Sequence, residues 1–190
     1  MEENKNLIRT FWGNGNIQSE GRMENGKKFG PWKWWFEKGQ YNGFVDENGL
    51  CEIYNDKGIL TNTGHMKNGK KEGLWKNFTD DGFLRQEVQF VNGKEHGFFR
   101  EYFESEKYKL DYNKREGHYK DGKQEGSFKL FHKNGIILEV NTYVNGYSHG
   151  PHKLYYSNGQ LKSEGIYIDD CKHGVWKFYY MNNQLEKIGR

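Results

Sequence analysis

Seven histidines, two cysteines and 26 acidic side chains are the groups with which this chain could do chemistry. Their spacing argues against it. His96, His149 and His173 each stand one residue before a glycine, namely Gly97, Gly150 and Gly174. Phe29, Glu72 and Glu125 hold the same place before Gly30, Gly73 and Gly126. A slot that accepts Phe, Glu and His reads as a linker position rather than a metal ligand. In a linear stack these histidines would lie about 10 Å or more apart, too far to share an ion. His118 and His132 stand alone and fit strand slots. Cys51 and Cys171 form no CxxC or metal spacing. Glu20, Glu87 and Glu164 fall opposite basic residues in the register derived below, so no glycosidase-type acid pair is indicated. No phosphate loop, GxSxG elbow or dinucleotide fingerprint occurs. These residues predict no enzyme, no metal and no cofactor.

The elements that would position such residues are legible in the composition. The chain has 190 residues, 34% hydrophobic but 17% aromatic, with 25 glycines and two prolines. Few aliphatics and many rings suggest thin, half-exposed β-structure, since disordered chains carry few aromatics. The glycines fit many tight turns. A net charge of +3 with interspersed signs describes a mixed surface, not a polyanion binder. The N-terminal run Met-Glu-Glu-Asn-Lys-Asn lacks the order of a signal peptide, and no apolar run approaches a membrane span. A reducing, cytoplasmic setting is expected.

Alignment of the chain with itself shows a repeat. Gly73, Gly97, Gly126, Gly150 and Gly174 mark a series in which three of the four intervals are 24 residues. The units run about 7–30, 31–49, 50–73, 74–97, 98–126, 127–150 and 151–174, with a half-unit at 175–190. Residues 1–190 form one domain of about seven such hairpins. The second unit is short, and the fifth carries extra residues near Glu104 to Glu116. Both read as drift in tolerant loops, with a binding face as the alternative.

Each unit is expected to be a hairpin. Asn14-Gly15, Asp81-Gly82, Asn134-Gly135 and Asn158-Gly159 are turn pairs of type I′ composition between aromatic and β-branched runs. Lys38-Gly39 and Lys57-Gly58 fill the same slot less well. A second series follows at Asn25-Gly26, Asn68-Gly69, Asn92-Gly93, Asp121-Gly122 and Asn145-Gly146. Centring the turn at Asn158-Gly159 sets Lys153 against Glu164, and the same rule sets Lys76 against Glu87 and Arg9 against Glu20. It also sets Gly21, Gly64 and Gly165 opposite Ile8, Cys51 and His152, where a glycine leaves room for a bulky neighbour. The fold predicted is all-β: an elongated, single-layer antiparallel meander of fifteen or fewer strands.

This register sends one aromatic row to a single face. Trp32, Trp34, Phe36, Trp75, Phe99, Phe103, Phe128, Tyr156, Trp176, Phe178 and Tyr180 lie on it, and Tyr108 and Tyr112 of the irregular fifth unit join them as candidates. They are the only core a one-layer sheet can have, and also a surface against which a partner could dock. The opposite face alternates bases with rings, as in Lys153 with Tyr155 and Lys177 with Tyr179.

Gly-Val-Trp-Lys-Phe-Tyr-Tyr at 174–180, with Tyr-Ser-Asn-Gly-Gln-Leu-Lys-Ser-Glu-Gly at 156–165, resembles the MORN-repeat variant of bacterial proteins, many of them named as toxin–antitoxin antitoxins. The resemblance spans about Leu7 to Leu185. It implies an extended β-meander with an interaction role toward proteins or lipids, and it alone implies the antitoxin label. The expectation is a non-catalytic scaffold with a protein partner, such as a toxin or another enzyme, on its aromatic face. The alternative is a peripheral binder of anionic lipid or nucleic acid, for which interleaved bases and rings would serve. Lys27-Lys28 with Lys67-Lys70-Lys71 is only a faint basic patch, and Lys–Glu pairing argues against both. Oligomeric state is left open.

Overall fold

The computed structural model describes residues 7–46, 48–103 and 113–189. Among them are sixteen strands and no helix. The strands are β1 Leu7–Phe11, β2 Ile17–Glu24, β3 Lys27–Trp35, β4 Tyr41–Val45, β5 Leu50–Tyr54, β6 Leu60–Lys67, β7 Lys70–Phe78 and β8 Leu84–Val91. They continue with β9 Lys94–Tyr102, β10 Asn113–Lys120, β11 Lys123–Phe131, β12 Ile137–Val144, β13 Tyr147–Tyr155, β14 Leu161–Ile168, β15 Cys171–Tyr179 and β16 Leu185–Gly189. They lie in one sheet in sequence order. The chain divides into two compact units, residues 1–84 with 90–93, and residues 85–89 with 94–190. Within each unit the paired strands are antiparallel. The count exceeds the expected fifteen because the terminal half-unit holds two strands rather than one, β16 besides most of β15.

The two turn series differ in kind, which corrects the sequence reading of the first. At Asn25-Gly26, Asn68-Gly69, Asn92-Gly93, Asp121-Gly122 and Asn145-Gly146 both residues have positive φ, for example 53° and 89° at Asn145 and Gly146. These are the I′ turns, whose twist matches the flanking strands. In the first series only the glycine is left-handed, as at Gly15 and Gly159, both 86°. Here a five-residue loop is closed by Trp12 N–H to Asn16 O at 2.8 Å and Gly15 N–H to Trp12 O at 2.9 Å. The asparagine acts through its side chain: Asn14 Oδ1 accepts from Asn16 N–H at 3.0 Å, and Asn158 Oδ1 from Gln160 N–H at 3.0 Å. Two left-handed residues were inferred where an Asx bond and one glycine suffice.

The repeat glycines are also placed differently from the linker position expected. Gly73, Gly126 and Gly174, with φ of 67°, 74° and 67°, lie inside β7, β11 and β15. The ladder register shifts across from them, between Thr63 and His65, Glu116 and His118, and Glu164 and Ile166. Each is a bulge that a left-handed glycine permits. His149 and His173 are therefore strand residues beside a bulge, and His96 is a residue of β9. His132 lies in a loop rather than a strand, its Nε2 3.3 Å from Tyr155 O.

Consecutive hairpins are tied at both margins. On one, Trp12 Nε1–H donates to Trp35 O at 3.1 Å and Tyr156 O–H to Tyr179 O at 2.9 Å, each 23 residues on. On the other, Gly146 N–H donates to Gln124 O at 2.9 Å and Asp170 N–H to Ser148 O at 3.0 Å. The expected pairs Arg9–Glu20 and Lys153–Glu164 are in register, as are the three glycines opposite Ile8, Cys51 and His152.

Candidate partner-binding face

The aromatic face is built on a clash avoided by glycine. A Cβ on Gly21 would sit 2.2 Å from the Trp32 indole, on Gly64 2.4 Å from Trp75, and on Gly165 2.3 Å from Trp176. Each indole therefore lies flat over the strand before its own, where any side chain would displace it. Gly117 serves Phe128 in the same way, at 2.5 Å. The room left by these glycines is thus filled from the following strand, besides the hairpin partner that the register indicates.

A lysine closes each indole from the other side. Lys28, Lys71 and Lys172 Nζ each lie 4.4 Å from the ring centroids of Trp32, Trp75 and Trp176. Part of the faint basic patch is thus spent on ring faces. The signal was present in the sequence as Lys-x-Gly-x-Trp, at 28–32, 71–75 and 172–176. Where the core ring is Phe or His, the lysine slot holds Glu95, Gln124 or Ser148. Arg115 then covers Phe99 at 4.8 Å and Phe128 at 5.9 Å. Edge-on rings complete the packing: Phe90 on Trp75, Tyr119 and Tyr143 on Phe128, Tyr167 on Trp176.

This packing divides the candidate residues. Trp32, Trp75, Phe99, Phe128 and Trp176 are buried, so they form the core and offer a partner almost no surface. Trp34, Phe36, Phe103, Tyr156 and Phe178 are half-buried, and Tyr180 is exposed. Tyr108 and Tyr112, with the extra residues 104–112, lie outside the described residues. Burial raises the Tyr119 and Tyr167 phenols above their ordinary value, which keeps them neutral in the stack.

The face is not continuously apolar. Beside the ring row runs a polar one with Asn62 bonded to Asn77, Glu101 paired with Lys114 and Arg115, and Glu139 against His152 at 3.1 Å. His152 itself takes a ring slot, 5.4 Å from Trp176 and 5.3 Å from Tyr167. Among the described residues no group of three or more His, Cys, Asp or Glu is placed to hold a metal ion.

One open part of the face, among the described residues, lies in the first unit. A groove of about 550 Å³ runs over β1–β3, walled by Ile8, Met23, Trp32 and Trp34, with Thr10, Ser19 and Lys28 at its margins. The Lys28 ammonium also reaches within 5.2 Å of Trp34. Thr10 and Ser19 bond each other at 2.7 Å.

An open antiparallel sheet of bulged, glycine-punctuated hairpins in sequence order defines a β-hairpin repeat protein. Within that class, the model of the MORN repeat variant matches residues 71–92, 124–145, 148–169 and 172–190. These four segments are MORN-type repeats, which are generally associated with binding and scaffolding. The three complete matched segments each run from one I′ turn to the next, so the bulge glycine lies inside the unit. No match is found among curated proteins. Among solved structures, a crystal structure of TcdB2-TccC3 is similar over 94% of this chain, at 13% identity and a TM-score of 0.27. This chain spans 11% of the length of that one, and a TM-score so low carries no argument.

Proposed function

We propose that the protein is a non-catalytic scaffold that docks a protein partner on its aromatic face, at the groove over β1–β3. The groove carries the reading, because it is where rings and aliphatics of that face stay accessible instead of being tiled by the next hairpin. The absence of catalysis is supported by how the polar groups are engaged. Glu20 and Glu164 are paired with Arg9 and with Lys153 and Lys177, and His96 and His149 lie against Asp121 and Asp169. Neutralisation of a toxin or other enzyme is the finer form of the proposal, and it rests on the family resemblance. Lysines committed to ring faces weigh against lipid or nucleic acid as the principal ligand.

The test is affinity capture from the native host with the wild-type chain and with Trp34→Ala. One protein in stoichiometric amount, retained by wild type and lost by the variant, is the expected result. Recovery of no protein, or equal recovery by both, overturns the site. Co-expression with the captured partner, scored by its activity, tests neutralisation.

A further inference from the structure

An exposed apolar patch of the second unit is on the other face. Val144 pairs with Tyr147, Ile168 with Cys171, and Pro151 with Ile166. Cross-strand partners share a face, and each of these alternates with a residue of the aromatic side, such as Tyr143, Tyr167 or His152. Val144, Tyr147, Ile166, Ile168 and Val175 are 41%, 54%, 47%, 38% and 48% exposed. The fold does not require apolar residues there. The same slots beside the I′ turns of the first unit hold Glu24 with Lys27, and Lys67 with Lys70.

Beside this patch runs a charged ladder. Arg100 pairs with Glu116 and Glu116 with Lys129. Lys129 faces Val140 and Val140 faces Lys153, which is followed by Glu164 and Lys177. Four bases share two carboxylates along β9–β15. Lys153 and Lys177 both reach Glu164, at 4.0 and 3.9 Å, and about half of each side chain is exposed. Valine at 140 leaves two bases flanking a neutral position where β2, β10 and β14 set Glu20, Glu116 and Glu164.

We infer that this face of β12–β15 is a second docking surface, for an extended protein segment in which acidic residues alternate with apolar ones. The strip offers exposed aliphatics at strand spacing and a surplus of positive charge alongside, which such a segment complements in both respects. A second copy of this chain is a poor occupant, because face-to-face contact would bring lysine rows together. The surface is independent of the aromatic groove.

The probe is a synthetic peptide alternating Glu with Val, read by methyl NMR shifts at Val144, Ile166, Ile168 and Val175. Saturable shifts are expected. Binding should weaken about tenfold or more in Lys153→Glu/Lys177→Glu, disappear when the peptide carries Lys for Glu, and persist in Trp34→Ala. If the double charge variant fails to fold, Ile166→Thr, at an exposed position, takes its place and should weaken the same binding. No shift, or equal binding of the Lys peptide, overturns the proposal. So does a response of these methyls to phosphatidylserine vesicles or an RNA oligonucleotide while the acidic peptide leaves them unmoved.

Discussion

Glycine and tryptophan at these positions are one packing unit rather than two residues. Gly165→Ala places a methyl against the Trp176 indole, and the loss should reach the upper end of about 1–3 kcal/mol for an overpacked site. Gly13, with open space around it, is the control: Gly13→Ala should change the urea midpoint little. Tyr54 is the second residue-scale case. Its phenol donates to Glu52, and that bond first, then burial and the Glu52 charge, push its pKa up to about 12. The folded phenol thus stays neutral after the unfolded one has ionised near its ordinary value. This contribution to stability is complete below about 10 and is lost as pH rises through about 12. Alkaline unfolding followed by tyrosinate absorbance should show it, with the effect absent in Tyr54→Phe. The glycine slots were readable in the sequence because the hairpin register fixes what lies opposite. The indole over each glycine was not, since an unbroken register across the I′ turn would set Gly21 against Gly30, and only the bulge brings Trp32 there.

Hairpin geometry was legible in outline and wrong in one detail, for a physical reason. Asn-Gly is compatible both with an I′ turn and with an Asx-bonded loop ending in a left-handed glycine. The dipeptide does not separate them; only the number of residues between the last paired positions does. Phe11 pairs with Ile17 across five residues, whereas Val144 pairs with Tyr147 across two. The distinction predicts unequal costs. Asn145→Ala forces an alanine to positive φ and should cost about 1–2 kcal/mol. Asn145→Asp should be tolerated, as Asp121 is at φ 52°. Asn158→Ala loses two exposed side-chain bonds, both with Gln160, and should cost about 0.5–1.5 kcal/mol. Chemical denaturation of the three variants decides the matter. The bulge glycines were seen as punctuation, but their place inside strands was hidden, because a bulge leaves the alternation of faces intact on either side.

Across the whole chain, stability should behave as a sum over neighbouring hairpins. Deleting Pro151–Gly174 joins Gly150 to Val175 in the register both already occupy. The shortened chain should keep a β-type circular dichroism spectrum and unfold at lower urea. Removing a single strand instead reverses the direction of all that follows and should abolish cooperative unfolding. The repeat, the face assignment and the charge pairing were legible because period and alternation are properties of the sequence itself. The division of the ring row into core and accessible groove was not, since it depends on how far each side chain reaches across its neighbour. That reach also has a sense. The indoles of Trp32, Trp75 and Trp176 all lean back over the strand before their own, like slates laid up a roof. A hairpin spliced in reversed would leave one slate with nothing to rest on and one batten bare, so the pattern accepts new courses in a single orientation only.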